Sequence, residues 1–190
     1  MEILKPIEKL NFFEKEISMI KYKNIRELAS TIIVEAPEWF FTMPASSSGK
    51  NHPEYARGKR GLLLHTKAVV YLLHEMFRSQ MYDIDEYHQD LLIVAAIAHD
   101  IKKFGSTDYT GHTVKEHPEL AAAYVENINS VYNILDIDSI NYIKRCVLSH
   151  MGVWGNILPE TVDEKLLHLA DLLASRKEIN IDLKEYDTRE

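Results

Sequence analysis

The chain has 190 residues, 46% of them hydrophobic, which suits one globular domain with a full apolar core. Its formal net charge of -7 argues against a general nucleic-acid binder, since such proteins carry a basic surplus. The lone Cys146 excludes a disulfide framework within the chain and a cysteine-based zinc site.

Apolar residues follow helical spacing along most of the chain. Residues 25–33 predict a helix that ends at Pro37. Residues 36–61 contain three prolines, three glycines and a serine run, and predict a long loop. Loops of that length inside a compact domain are usually functional. A second helix is predicted from about Leu62, and a third covers residues 91–105.

The second half of the chain continues the helical pattern. Residues 106–117 predict another loop, and Pro118 opens the helix after it. Asp136 or Asp138 caps the next helix, and Pro159 opens the last long one. Strand signals are sparse and no βαβ alternation appears, so the predicted fold class is all-α.

No apolar stretch is long enough, or free enough of charge, to span a bilayer. The N-terminal residues carry alternating charge without a signal-peptide core. We therefore expect a cytoplasmic protein with no membrane partner.

Six side chains of metal-binding type lie where helical spacing predicts core residues. An unpaired buried carboxylate or imidazole is costly, and the usual compensation is pairing or a metal ion. For any one of these histidines a hydrogen-bonded core position is the commoner explanation, but recurrence on five helices favours a shared site. The six are His65, His99, Asp100, His117, His150 and Asp171. Such a mixed set suits Mn²⁺, Fe²⁺, Co²⁺, Ni²⁺ or Zn²⁺.

In chain order, these residues stand in the segments GLLLHT, AHDIKK, EHPELA, LSHMG and HLADLLAS. This pattern resembles the H…HD…H…H…D signature of the HD-domain superfamily of metal-dependent phosphohydrolases, and covers about residues 40–177. The resemblance implies a single compact domain with a five-helix core. It also implies one metal site formed by His65, His99, Asp100 and Asp171, and a second formed by His117 and His150 with Asp100 bridging. His112 is an alternative to His117 in the second site.

We accordingly expect one HD domain over residues 1–190. Residues 1–36 would form a helical extension, about 40–177 the core, and 178–190 a polar tail that frays. The segment PASSSGKNHPEYARGKRGLLLHT is also similar to HD proteins of bacteria and phages, and more distantly to the HD half of a 3′–5′ exoribonuclease group. One departure is that the family's HDIGK reads HDIKK, with Lys102 in place of the glycine.

The activity that the resemblance implies is hydrolysis of a phosphate ester of a nucleotide or short nucleic acid. One or two divalent ions, with Mg²⁺ also in the candidate set, would activate a hydroxide and clamp the phosphate oxygens. Lys103 would neutralise charge on the non-bridging oxygens, so Asp100 and Lys103 are the expected catalytic residues. The expected partner is a small phosphate ester, with short RNA or DNA as an alternative.

The loop before His65 contains further candidates for phosphate binding, with a solvated surface loop as the alternative interpretation. They are His52, Arg57 and Arg60, accompanied by Lys50 and Lys59. Trp39, Phe40 and Trp154 could stack a base, although aromatic side chains more often pack in a core. His74, His88 and His168 are assigned no role, although His168 is close enough in sequence to Asp171 to hydrogen-bond near the site.

Three other functions remain open from the sequence. Some HD-fold proteins use a di-iron site with a related ligand set to activate dioxygen. A second alternative is a module that binds metal or nucleotide without turnover. The third is a helical scaffold whose histidines only pack.

Overall fold

The structure is a computed structural model that describes residues 3–46, 49–50, 52–106, 109, 111–179 and 181–183. Over these residues the regular structure is helical and contains no strand, which confirms the predicted all-α class. The helices are α1 (Pro6–Phe12), α2 (Glu14–Met19), α3 (Lys23–Val34), α4 (Glu38–Thr42), α5 (Gly61–Arg78), α6 (Glu86–Ala98), α7 (His117–Tyr132), α8 (Ile137–Ser149) and α9 (Val162–Ala174). Short 3₁₀ turns cover Glu54–Ala56 and Gly152–Trp154.

Helix α6 is the centre of the domain. Every residue from 91 to 98 is buried, and α6 contacts α3, α5, α7, α8 and α9. A helix that is apolar on all faces must be surrounded by neighbours. The packing therefore places the residues that follow α6, His99 and Asp100, in the interior of the domain.

Two predicted helix boundaries were wrong. Helix α6 ends at Ala98 rather than near Gly105, because the next residues form successive tight turns, such as the one closed by the Lys103 amide on the Asp100 carbonyl at 2.9 Å. The last helix begins at Val162 rather than at Pro159. Thr161 caps it by accepting a hydrogen bond from the Glu164 amide at 3.2 Å.

The capping residue of α8 was predicted correctly, since Asp136 accepts a hydrogen bond from the Ser139 amide at 2.9 Å. The loop predicted over residues 36–61 instead contains helix α4 and a 3₁₀ turn. Trp39 and Phe40 lie on α4 and are 1% and 0% exposed. The suggestion that they stack a base is therefore wrong, and they belong to the core.

The N-terminal helices pack into the same core as the rest of the chain. Lys67 of α5 is buried, where it forms an ion pair with Glu16 of α2 at 3.1 Å and donates a hydrogen bond to the Phe12 carbonyl. At the other end, Ile181 and Leu183 are buried. The prediction that the tail frays is wrong for these two residues, and residues 184–190 lie outside the described part.

None of the described helices combines the length and the apolar character needed to cross a bilayer.

Candidate metal centre

The six predicted metal-binding side chains meet at one point inside the domain. They come from the start of α5 (His65), the residues directly after α6 (His99 and Asp100), the start of α7 (His117), the residue directly after α8 (His150) and the last turn of α9 (Asp171). Five of the six are buried, and the side chain of Asp171 is 18% exposed. The cluster thus has one open side, at Asp171.

Four of these side chains can share one ion. His65 Nε2 lies 3.0 Å from Asp171 Oδ1 and 3.7 Å from Asp100 Oδ2. His99 Nε2 lies 3.5 Å from Asp100 Oδ2 and 3.8 Å from Asp171 Oδ1. Ligand atoms bound at about 2.1 Å from one ion lie about 3–4 Å apart, so these spacings fit a common metal.

The other two histidines face the opposite oxygen of the same carboxylate. His117 Nε2 lies 3.1 Å from Asp100 Oδ1, and His150 Nε2 lies 3.7 Å from it. The two Nε2 atoms are 3.2 Å apart. Asp100 therefore offers one oxygen to each group, which is the bridging arrangement that the resemblance implied. His112 is exposed, so the geometry favours His117 over His112 as a member of the second group.

Three of the histidines are each oriented by a hydrogen bond of the same type. The Nδ1 atoms of His99, His117 and His150 lie 2.6–2.7 Å from the carbonyl oxygen three residues earlier in the chain. A proton on Nδ1 satisfies that carbonyl and leaves the Nε2 lone pair directed at the cluster. His99 and His150 follow the ends of helices, where carbonyls lack an intrahelical partner.

The electrostatics of the cluster favour the forms that bind metal, an ionised carboxylate and a neutral imidazole. Burial alone would raise the pKa of the Asp100 carboxyl, but the Lys103 ammonium and His99 hold it well below its ordinary value. Burial and His99 lower the pKa of His150 to about 3. Burial opposes and Asp100 favours the protonation of His99, whose pKa is raised. A proton on His99 would compete with a metal ion, so the affinity should rise with pH.

One further observation fits a cation-binding site. His99 Nε2 is fully buried and has no hydrogen-bond partner among the described residues, although it faces two carboxylates. A divalent ion would satisfy this atom and compensate both negative charges. The residues present therefore fit a metal centre.

The two lysines of the HDIKK segment have different positions. Lys103 Nζ lies 2.5 Å from Asp100 Oδ2, and its side chain is 12% exposed. Lys102 Nζ donates to the Ser106 carbonyl at 2.8 Å and lies 4.3 Å from the centre of the Tyr124 ring. The residue that replaces the family's glycine thus stabilises the neighbouring turn, and Lys103 alone of the two reaches the cluster.

A cleft of about 160 Å³ leads from the cluster to the surface. Its lining among the described residues is His52, Lys103, Met151, Trp154, His168, Asp171, Leu172 and Ser175. The His52 ring centre is 5.8 Å from that of His65. Burial and His65 lower the pKa of His52 to about 4, so a neutral imidazole faces the cleft at neutral pH.

The structure does not bring the two predicted arginines into the cleft lining. Arg57 Nε donates to the His52 carbonyl at 2.7 Å, which positions the loop. The guanidinium of Arg60 lies 4.8 Å from the centre of the Phe12 ring. Lys50 and Lys59 are exposed. Of the loop candidates, only His52 lines the cleft.

Two residues outside the cluster support the site, and sequence reasoning missed the first of them. Tyr55 donates a hydrogen bond to the Ala174 carbonyl at 2.9 Å, which ties the loop of His52 to the end of α9. No local pattern links residues so far apart in sequence. His168 Nδ1 donates to the His150 carbonyl at 2.7 Å, and its position three residues before Asp171 was the signal for it.

The remaining histidines lie outside the cluster. His88 pairs with Asp85 on the surface, at 2.7 Å, and His74 is partly exposed on α5.

Comparison with protein families gives one match: the HD domain model aligns with residues 62–176, which is more than half of the chain. Comparisons with curated proteins and with solved structures gave no match. The matched span contains all six residues of the cluster. The helical fold, the His and Asp groups able to hold metal and the family match agree, and the chain belongs to the HD-domain family, a superfamily of metal-dependent phosphohydrolases.

Proposed function

We propose that this chain hydrolyses a phosphate ester of a nucleotide or short nucleic acid. The observation that carries the proposal is the position of Asp100, whose two oxygens face two separate groups of histidines. This arrangement suits a pair of divalent ions that share one carboxylate. Enzymes use such pairs of ions to activate a water for in-line attack on phosphorus.

The donor set of imidazole nitrogens and carboxylate oxygens suits Mn²⁺, Fe²⁺, Co²⁺, Ni²⁺ or Zn²⁺. When bound, such ions supply an activated water and polarise the phosphate oxygens. The chain's own contribution is to fix the ligands before the ions arrive. The hydrogen bonds from Nδ1 to backbone carbonyls do this for His99, His117 and His150.

Lys103 supports phosphate binding at the same place. Its ammonium lies beside Asp100 and lines the cleft, where it can neutralise the non-bridging oxygens of a bound ester. His52 faces the same space as a neutral imidazole, which can donate or accept one hydrogen bond there. A cation at the mouth of the cluster suits an anionic substrate better than dioxygen, and this favours hydrolysis over oxygenation.

The test is elemental analysis of the purified protein followed by a panel of phosphate esters with Mn²⁺, Co²⁺, Ni²⁺ and Mg²⁺, in air and without oxygen. We expect metal bound at the cluster and phosphate-ester cleavage that is independent of oxygen and abolished by chelator. Product formation that requires both iron and oxygen would replace this proposal with an oxygenase. Tight metal binding without cleavage of any ester would indicate a binding module.

A further inference from the structure

The cleft is lined by two chemically different sets of side chains. Asp171 and Lys103 belong to the cluster or contact it, and His52 lies beside His65. Met151, Trp154 and Leu172 add apolar surface with one indole ring, next to the polar side chains of His168 and Ser175. This lining suits a ligand that carries both an anionic group and a flat or apolar group.

Trp154 is the tryptophan of this lining, and it is 57% exposed. The other tryptophan of the chain, Trp39, is 1% exposed. A single exposed aromatic residue is common on protein surfaces and does not by itself mark a site. What distinguishes Trp154 is the way that its backbone is held.

The turn that carries Trp154 is fixed against the metal cluster. Gly152 has a φ of +56°, and a Cβ atom there would lie 2.4 Å from Cε1 of the His168 ring. His168 in turn donates its Nδ1 proton to the carbonyl of the cluster residue His150 at 2.7 Å. The centres of the His168 and Trp154 rings are 6.3 Å apart. Close packing and one hydrogen bond thus connect the exposed indole to a predicted metal ligand.

Positive charge lies at the same rim. The guanidinium carbon of Arg176 is 6.0 Å from the centre of the Trp154 ring. The indole therefore has a cation beside it, in addition to Lys103 deeper in the cleft. This combination of an aromatic face with flanking cations is the one that proteins use for single nucleotides and single strands.

We propose that Trp154 is the platform on which the base of the substrate stacks, while the phosphate lies beside Lys103. This inference rests on the proposed function and narrows the substrate to esters in which a nucleobase is close to the phosphate that is cleaved. Every base has a π face, and stacking on an indole does not depend on the hydrogen-bond pattern of the base. The platform therefore accepts different bases with similar affinity.

The kinetic test compares Trp154→Ala and Trp154→Phe with the wild type on nucleotide esters and on glycerol phosphate, which lacks a base. Loss of one stacked base weakens binding by about 5- to 150-fold. We expect kcat/KM for nucleotide esters to fall by that factor in Trp154→Ala, mainly through KM, and to be largely kept in Trp154→Phe. Hydrolysis of glycerol phosphate should be unchanged. Leu158→Ala, which removes an exposed apolar side chain of the same loop, is the matched control and should match the wild type.

A second measurement does not depend on turnover. Trp39 is buried, so ligand-induced changes in tryptophan fluorescence report on Trp154. We expect AMP, GMP, CMP and UMP to change this fluorescence, ribose 5-phosphate to leave it unchanged, and Trp154→Phe to lose the response.

The two proposals fail in different ways. If the wild type hydrolyses nucleotide esters and Trp154→Ala has the same kcat/KM for them, the platform is refuted and the hydrolase proposal is kept. The same holds if the protein cleaves esters but no nucleotide changes its fluorescence. A fluorescence response to nucleotides in a metal-loaded protein that cleaves no ester would refute the hydrolase and support the platform.

Discussion

Replacement of Asp100 by asparagine should remove metal binding at both groups at once. The substitution keeps the shape of the side chain but removes its negative charge and one acceptor oxygen. In the structure Oδ2 faces His65 and His99, while Oδ1 faces His117 and His150. No other residue of the cluster serves both groups in this way.

The size of the effect follows from linkage between binding and folding. At a metal concentration about 100 times Kd, binding stabilises the wild type by about 2.7 kcal/mol. For a chain of this length that is a rise in Tm of roughly 5–11 °C. Loss of a residue that only hydrogen-bonds to a metal ligand lowers the metal affinity by about 10- to 100-fold. Because Asp100 would itself be a ligand of both groups, its loss should lower the metal affinity by at least about 100-fold. At the same metal concentration the stabilisation then falls to about 0.4 kcal/mol, a rise in Tm below about 2 °C.

Differential scanning calorimetry with and without Mn²⁺, paired with elemental analysis, measures this effect. Asp138→Asn, on the exposed side of α8, is the matched control and should keep the full rise in Tm. His65→Ala and His117→Ala should each lose metal binding at the group that contains the replaced histidine and keep it at the other group. An Asp100→Asn protein that binds as much Mn²⁺ as the wild type, with the same rise in Tm, would refute the shared-carboxylate reasoning.

Three further predictions concern Lys103, the cap of α8 and the glycine at position 152. Lys103→Ala should lower the hydrolysis rate by about 10²–10³-fold with unchanged metal content, while Lys102→Ala changes neither; unaltered steady-state kinetics of Lys103→Ala would remove this residue from catalysis. Asp136→Ala removes the cap of α8 and should cost about 0.5–2 kcal/mol in urea unfolding at pH 7. Hydrogen bonds from Ser139 lower the pKa of the Asp136 carboxyl. The stabilisation by Asp136 is therefore present above about pH 4 and is lost as the pH falls through the lowered pKa. A difference in unfolding free energy between Asp136→Ala and the wild type that stays constant below about pH 4 would contradict this. Gly152→Ala should cost about 1–3 kcal/mol, because its Cβ would collide with His168 at a positive φ; equal urea midpoints would show that the turn relaxes freely.

The convergence of the cluster was predictable because polar side chains occupied core positions on five separate helices. The burial of such groups is so costly that a common site is the economical explanation. The position of Asp100 between the two groups of histidines was also predictable, since neighbouring residues such as His99 and Asp100 project in different directions.

The ends of helices were harder to predict. The apolar pattern continues through Ile101 and Phe104, both buried, although the helix stops at Ala98. Periodicity does not distinguish a helix from the tight turns that follow it. The start of α9 did carry a signal, since Thr161 and Glu164 form the pattern of a capping box.

The supports of the site depend on contacts that sequence spacing does not encode. Tyr55 reaches the Ala174 carbonyl across most of the chain. Arg57 turns toward the His52 carbonyl rather than toward the cleft, and charge alone gave no indication of this. Trp39 was indistinguishable in sequence from an exposed aromatic residue such as Trp154 until the packing was known.

The buried pair of Lys67 and Glu16 has a consequence for how this domain can be divided. The span that matches the family begins at residue 62, so a fragment trimmed to residues 62–176 keeps the lysine and discards both the carboxylate and the Phe12 carbonyl that compensate it. Such a fragment would lose both of these contacts to Lys67, which is two residues from the predicted ligand His65, and would open this side of α5 to water. The segment shared with the family is therefore shorter than the set of helices that pack together, and a truncated form that keeps the surroundings of Lys67 must include the N-terminal helices.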